Sequence, residues 1–403
     1  MRAITAALLT KEYPPEVYGG AGVHVAELAR ALDAEVEVRV HAFGADRDDP
    51  LVAASYREWD ALAGDAPHLA ALRTVSADLA IAAGVEGVDL VHSHTWYANL
   101  AGHLAKLIHD VPHVVTTHSL EPLRPWKREQ LGGGYALSSF CERTAIEAAD
   151  AIIAVSEGMR RDVLAAYPAV DPDDVEVIYN GVDPDAWRAV STTATLERFG
   201  VDPTRPYAIF VGRITRQKGV VHLLDAAEHL PGGTQLVLCA GAPDTPEIAA
   251  EFRARVAELD AAAVEVIWID EMLPRPQVVE LLSHARVFVC PSIYEPFGIV
   301  NLEAMACDLP VVASAVGGIP EVVDDAVTGS LVAFEPGDDA IGSPADPDAF
   351  ARALASRITH LLEDEAFASR MGAAGRLRVE EHFAWPAIAG RTAALYERLV
   401  AGP

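Results

Sequence analysis

Two glutamates, Glu295 and Glu303, stand with seven residues between them in the run Tyr294-Glu295-Pro296-Phe297-Gly298-Ile299-Val300-Asn301-Leu302-Glu303. A paired-carboxylate hydrolase needs its two groups about 5–9.5 Å apart. With a helix beginning near Gly298, eight residues at about 1.5 Å each put this pair roughly 12 Å apart or more. The spacing disfavours a hydrolase and suits gripping two separate hydroxyl-bearing parts of one long ligand. The plainer alternative is one carboxylate complementing a helix dipole and one exposed helix charge; spacing does not choose between them. A second run, Gly212-Arg213-Ile214-Thr215-Arg216-Gln217-Lys218-Gly219, follows an apolar strand. Its glycines flank a strand-to-helix loop that presents an arginine and a lysine where open α/β sheets bind ligands. Arg213 suits a diphosphate through its planar fork and Lys218 acts as a point charge; a solvated basic turn is the alternative. Only four lysines occur, Lys11, Lys106, Lys127 and Lys218, so Lys218 is the sole lysine of the second half.

Near the start, Tyr13-Pro14-Pro15-Glu16-Val17-Tyr18-Gly19-Gly20-Ala21-Gly22 joins a strand to a helical pattern. Glycines at such a junction let backbone N–H groups approach an anion at the helix N-terminus, although the spacing is not the dinucleotide fingerprint. A third basic group, Arg124, Lys127 and Arg128, precedes Gly132-Gly133-Gly134-Tyr135. It reads either as an anion site with Tyr135 as hydroxyl donor, or as ion pairs to Glu121, Glu129 or Glu142. His92 and His94 flank a strand end, where they line a ligand site or rest as hydrogen-bonded loop histidines. No His/Cys/carboxylate group has zinc spacing. Asp171–Asp173, Asp183–Asp185 and Asp346–Asp348 are Asp-x-Asp triplets of a kind expected by chance in an acidic chain, and no metal site is assigned.

These residues need elements to hold them. Candidate strands are 4–9, 36–43, 88–92, 113–117, 151–155 and 175–179, then 207–211, 235–239, 264–269, 287–290, 311–313 and 331–334. Continuous apolar runs separated by Ala-rich helical patterns imply parallel sheets covered on both faces, and two series in tandem imply two doubly wound domains. Turn chemistry at Asn180-Gly181, Asp183-Pro184 and Asp202-Pro203 marks the break. The expected division is 1–190 and 191–384, with 335–348 as a surface loop and an amphipathic stretch from Trp385 closing the chain.

A chain of 403 residues matches two domains, since single cores rarely exceed about 250–300 residues. The formal net charge of −28 repels nucleic acid and anionic lipid. The four cysteines show no C-x-x-C spacing and read as reduced core thiols. The opening apolar run reads as a buried strand rather than a leader, no stretch has bilayer-spanning length, and the expected location is the cytoplasm.

The Glu295/Glu303 spacing, with Pro296-Phe297-Gly298 after the first glutamate, resembles the signature of retaining GT-B glycosyltransferases. Gly212-Arg213 with Lys218-Gly219 resembles their diphosphate site. The opening Glu12-Tyr13-Pro14-Pro15 with Tyr18-Gly19-Gly20-Ala21-Gly22-Val23-His24, and Thr116-Thr117-His118-Ser119-Leu120-Glu121-Pro122, resemble more narrowly the actinobacterial glycogen synthases, several of them better described as α-maltose-1-phosphate synthases. The resemblance implies a GT-B fold of two Rossmann-like domains facing a central cleft, with helix 385–403 crossing back to the first. It implies that Glu295 binds hydroxyls of the donor glucose and Glu303 the nucleotide ribose. Arg213 and Lys218 would bear the diphosphate, helped by backbone near Gly19, Gly20, Phe297, Gly298, Ile299 and Val300, with His118 beside the transferred sugar. Larger bacterial glycogen synthases carry Lys-Thr-Gly-Gly in the first loop; here Lys11 stands several residues before the glycines, which leaves its phosphate role open.

The reading is a metal-independent, cofactor-free glucosyltransferase using ADP-glucose. A long neutral glucan wants aromatic platforms, whereas a phosphorylated sugar wants cations. Lys127, Arg128, Tyr135 and His94 are therefore expected on the acceptor side, with glucose 1-phosphate preferred and α-glucan elongation in glycogen synthesis slower. Rival readings are a mannosyl- or inositol-directed transferase, a phosphorylase, which needs a Schiff-base lysine, and a non-catalytic carbohydrate-binding protein. The nucleotide base and the oligomeric state, a homodimer included, stay open.

Overall fold

A computed structural model describes residues 4–17, 19–124, 127, 132–241, 243, 245–259, 264–339 and 341–402. The first apolar run forms β1 (Thr5–Thr10), buried along its whole length. Six more parallel strands join it: β2 (Glu37–Phe43), β3 (Val52–Tyr56), β4 (Leu90–His94), β5 (His113–Thr117), β6 (Ala151–Ala154) and β7 (Val175–Val177). The sheet order is β3-β2-β1-β4-β5-β6-β7. Leu8 lies opposite Val40 on β2 and His92 on β4, so the order reverses beside β1, where doubly wound sheets bind ligands.

The second unit repeats the plan. Its strands are β8 (Tyr207–Val211), β9 (Gln235–Cys239), β10 (Glu265–Ile269), β11 (Val287–Cys290), β12 (Val311–Ser314) and β13 (Gly329–Val332), in the order β10-β9-β8-β11-β12-β13. Here the reversal falls between β8 and β11.

The chain divides into Met1–Gly181 with Trp385–Pro403, and Val182–Ala384. The final helix, Trp385–Ala401, buries Trp385, Ile388, Ala389, Ala393, Leu395 and Tyr396 in the same cluster as Leu8, Val25 and Leu28 of the first unit. Each large side chain so buried contributes about 1.5–3 kcal/mol. Its Tyr396 hydroxyl meets His92 Nδ1 at 2.6 Å, which ties the last helix to β4.

Strand β3 has no counterpart among the expected strands. Its sequence, Val-Ala-Ala-Ser-Tyr, is half-buried at the sheet edge and lacks the apolar run that marks the central strands. The expected 88–92 and 331–334 are displaced by two residues, to Leu90–His94 and Gly329–Val332. All four cysteines are buried free thiols. Among the described residues no helix is long and apolar enough to cross a membrane.

Candidate functional site

In the second unit the loops after β8 and β11 are pinned together. Gly219 has φ +60°, and a Cβ there would fall 2.0 Å from the Pro291 carbonyl oxygen; only glycine permits this approach. Ile293 N–H donates to the Gln217 carbonyl at 3.0 Å. This brings Lys218 onto Glu295: Nζ donates to Oε2 at 2.6 Å, and Ser292 Oγ donates to the same oxygen at 3.2 Å. A third loop, after β12, clamps the Glu295 backbone. Gly318 N–H donates to the Glu295 carbonyl at 3.0 Å, and a Cβ on Gly317 (φ +54°) would lie 2.0 Å from that oxygen. Gly317 and Gly318 were not among the expected site residues; the signal was their place directly after a strand, at the sheet's carboxyl end.

Burial works against the Lys218 charge, but Glu295 outweighs it and holds the ammonium above its ordinary value of 10.5. Arg213 acts on Lys218 as a neighbouring like charge. Both cations follow β8, at the end of the sheet where such folds bind ligands, and an ammonium with three donors keeps two beyond its bond to Glu295. Gly298, φ +96°, precedes the helix Ile299–Ala306, and a Cβ there would meet Asn301 Nδ2 at 2.5 Å. Glu303 lies on that helix. Burial pushes its carboxyl up to about 7, with Arg275 and Lys218 pulling partly back. Among the described residues no donor bonds it, so its oxygens are open to ligand hydroxyls. Phe297 is fully buried and its ring meets Phe383 edge-on at 5.9 Å; its side chain is core, and only its backbone suits the donor role expected of it. Ile299 and Val300 are half-buried in the first helical turn.

In the first unit three histidines from separate elements meet. His24 lies in the helix Gly20–Leu32, His94 ends β4, and His118 follows β5. His94 Nδ1 and His118 Nε2 share a hydrogen bond at 3.2 Å, and the His24 and His118 rings meet edge-on at 4.6 Å. Burial pushes His118 down to about 4 and His24 and His94 well below 6.5, each reinforced by neighbouring imidazoles in the latter two. The cluster is therefore neutral at neutral pH. Candidate ligand atoms of the three lie within 4.8 Å of one another, a grouping able to hold a metal ion. Zinc spacing does not reveal it because it is assembled by strand order; His24 was absent from the expected site. His94, expected on the acceptor side, is wholly buried against His118.

Other expected site residues have partners within the chain. Gly19 N–H, expected on phosphate, donates to Glu12 Oε2 at 2.7 Å, so the chain's own carboxylate takes that amide. Arg124 is held by Ser119 Oγ at 2.9 Å and Glu121 at 3.6 Å, the ion-pair alternative. The Tyr135 hydroxyl donates to the Glu121 carbonyl at 2.6 Å and is not a spare donor. Lys127 is half-buried, with its N–H on the Arg124 carbonyl; Arg128, like Tyr18, lies outside the described residues. The leading residue of each Asp-x-Asp triplet caps its own turn: Asp171 accepts from Asp173 N–H at 3.0 Å, Asp183 from Asp185 at 2.9 Å, and Asp346 from Ala349 at 2.9 Å.

Residues 18–186 match the family model of Glycosyltransferase Family 4, and 192–378 that of Glycosyl transferases group 1. The chain is 54% identical over 398 residues to α-maltose-1-phosphate synthase of Mycobacterium tuberculosis, covering 98% of this chain and 99% of the relative. It is 33% identical to D-inositol 3-phosphate glycosyltransferase of Xylanimonas cellulosilytica, covering 91% and 88%. Among solved structures, sucrose-phosphate synthase from Thermosynechococcus elongatus superposes with TM-score 0.76 at 27% identity, covering 99% of each chain. The catalytic domain of starch synthase IV from Arabidopsis thaliana, bound to ADP and acarbose, gives 0.73 at 18% identity over 99% of this chain and 100% of that one, a likeness of fold alone.

Proposed function

We propose that this chain, which belongs to the group 1 glycosyl transferases and is a glycosyltransferase of GT-B architecture, moves glucose from ADP-glucose to glucose 1-phosphate, giving α-maltose 1-phosphate. The observation that carries the donor half is the contact of Lys218 with Glu295, beside Arg213, with Glu303 one helix further on. One anion and one set of sugar hydroxyls are thereby served by adjoining side chains. The acceptor half is supported by the α-maltose-1-phosphate synthases, which match over almost the whole chain.

In the reaction the bond from glucose C1 to the diphosphate oxygen breaks and an acceptor hydroxyl oxygen bonds to C1. The hydroxyl proton passes to the leaving phosphate oxygen. Negative charge grows on that phosphate, where Arg213 and Lys218 stabilise it, a preorganised arrangement that takes the part a metal ion otherwise plays. Same-face attack retains the anomeric configuration, and no residue is assigned as a covalent nucleophile. Neutral His118 contributes a hydrogen bond to the transferred sugar without adding charge.

The test is competition. Purified protein receives ADP-glucose with glucose 1-phosphate and glycogen as acceptors, and kcat/KM is compared for each. Glucose 1-phosphate should be the better acceptor; a preference for glycogen overturns the acceptor assignment, and no transfer from any nucleotide sugar overturns the donor reading.

A further inference from the structure

A cavity of about 600 Å³ opens in the first unit at the carboxyl ends of β1, β2 and β3, with Lys11, Glu12, Glu16, Phe43, Arg57 and Glu58 in its lining. That volume lies in the range of small-molecule sites. Its three carboxylates are already engaged. Glu12 accepts the Gly19 N–H, Glu16 pairs with Arg47 at 3.1 Å, and Glu58 pairs with Arg73 at 3.1 Å. Arg47, almost wholly buried, also donates to the carbonyls of Pro14, Ala45 and Phe43, so it braces the wall and is not available to a ligand.

The two remaining cations differ. Among the described residues no carboxylate lies within ion-pair distance of Lys11 or Arg57. Lys11 is half-buried, and its Nζ stands 4.2 Å from the centroid of the Tyr97 ring. Burial lowers its pKa, with Glu58 and Glu12 countering from a distance. A partly desolvated ammonium held only by an aromatic face is costly unless an anion completes it. Arg57 is exposed at the mouth, with its guanidinium fork free to meet an oxyanion. In a chain of net charge −28, two cations in one cavity without a direct ion-pair partner among the described residues form a local exception.

We infer that this cavity seats the phosphate monoester of the acceptor sugar, with Lys11 at its wall and Arg57 at its mouth. The inference rests on the reading of a sugar phosphate as acceptor, and it moves the phosphate away from the Arg124–Tyr135 segment, where Arg124 and the Tyr135 hydroxyl are committed internally. The carboxylates keep lone pairs for the sugar hydroxyls.

The experiment compares wild type with Lys11→Met, Lys11→Arg and Arg57→Gln. Steady-state rates are measured with glucose 1-phosphate varied and then with ADP-glucose varied, and inorganic phosphate is titrated as an inhibitor. Lys11→Met should raise KM for glucose 1-phosphate roughly tenfold or more, the loss of a charge-assisted hydrogen bond. KM for ADP-glucose should move far less, and Lys11→Arg should recover most of the loss. Inorganic phosphate should compete with glucose 1-phosphate in wild type and inhibit Lys11→Met more weakly. If Lys11→Met does not fold, Arg57→Gln decides, because Arg57 is exposed. Use of glucose 1-phosphate by wild type with unchanged KM in the folded variants overturns this subsite and leaves the proposed function standing. Equal rises in both KM values assign Lys11 a structural role and overturn the subsite too. A wild type that ignores sugar phosphates overturns both.

Discussion

Replacing Glu303 by Gln should stabilise the protein at alkaline pH while weakening its hold on the donor. The Glu303 carboxyl is pushed by burial from 4.5 to about 7. The folded state therefore keeps a proton that the unfolded chain has released between those values. Stability is full below the unfolded pKa of 4.5 and is lost as pH rises through about 7. At about 1.36 kcal/mol per pH unit, the interval from 4.5 to about 7 is worth on the order of 3 kcal/mol. Gln has the shape of the protonated carboxyl and never ionises, so the variant escapes this loss. For a domain of roughly 200 residues, 1 kcal/mol moves Tm by about 2–4 °C, so the gap should reach about 6–12 °C. Calorimetric melting of both proteins should give coincident Tm values near the unfolded carboxyl pKa, separating as pH rises from 4.5 to about 7 and staying level above that, with the variant higher. If the proposed donor site holds, saturating ADP-glucose should then raise Tm of the wild type more than that of the variant, because the carboxylate proposed to accept from ribose hydroxyls is gone. A gap that does not change with pH, or a variant melting below wild type at alkaline pH, refutes the reasoning.

Arg213→Ala and Lys218→Ala should each lower kcat by roughly 10²–10³-fold, about 3–4 kcal/mol, as for loss of one charge-stabilising donor; rates within twofold of wild type refute the assignment. Because Lys218 and Glu295 touch at 2.6 Å, the double variant Lys218→Ala/Glu295→Ala should cost less than the two single losses added, read by a double-mutant cycle on kcat/KM. Gly219→Ala sets a Cβ 2.0 Å from the Pro291 oxygen at positive φ and should destabilise by about 1–3 kcal/mol or more, so an unchanged Tm contradicts the pinned-loop geometry. Tyr396→Phe strips His92 Nδ1 of its partner inside the first unit and should cost about 1–3 kcal/mol in denaturant unfolding; a neutral result denies the last helix that polar tie. Excess chelator should leave glucosyl transfer unchanged, and a loss restored by magnesium, manganese or zinc would reassign the His24–His94–His118 cluster as a metal site.

Strands β8, β9 and β11 are legible in the sequence residue for residue, because a fully buried parallel strand must be a continuous apolar run bounded by turn residues. Arg213, Lys218 and Glu295 are legible for a related reason: each lies on a strand-to-helix loop at the carboxyl end of such a strand, with Glu303 on the helix that follows, and local spacing reports where that end falls. Local spacing does not report which loops meet. The Lys218–Glu295 bond, the glycine contacts at Pro291 and Glu295, and the joining of His24, His94 and His118 all depend on strand order, which sets residues distant in the chain side by side. Partner choice is decided the same way. In the sequence the basic group at Arg124 reads equally as an anion site or as ion pairs, and folding places Glu121 and Ser119 against Arg124; the sequence leaves the role of Lys11 open, and folding draws Glu12, Glu16 and Glu58 to other donors. Sequence determined which chemical groups are present and which strand ends carry them; tertiary structure decided which charges neutralise one another and which remain for a ligand, because electrostatic pairing acts through space over a few ångströms and not along the chain.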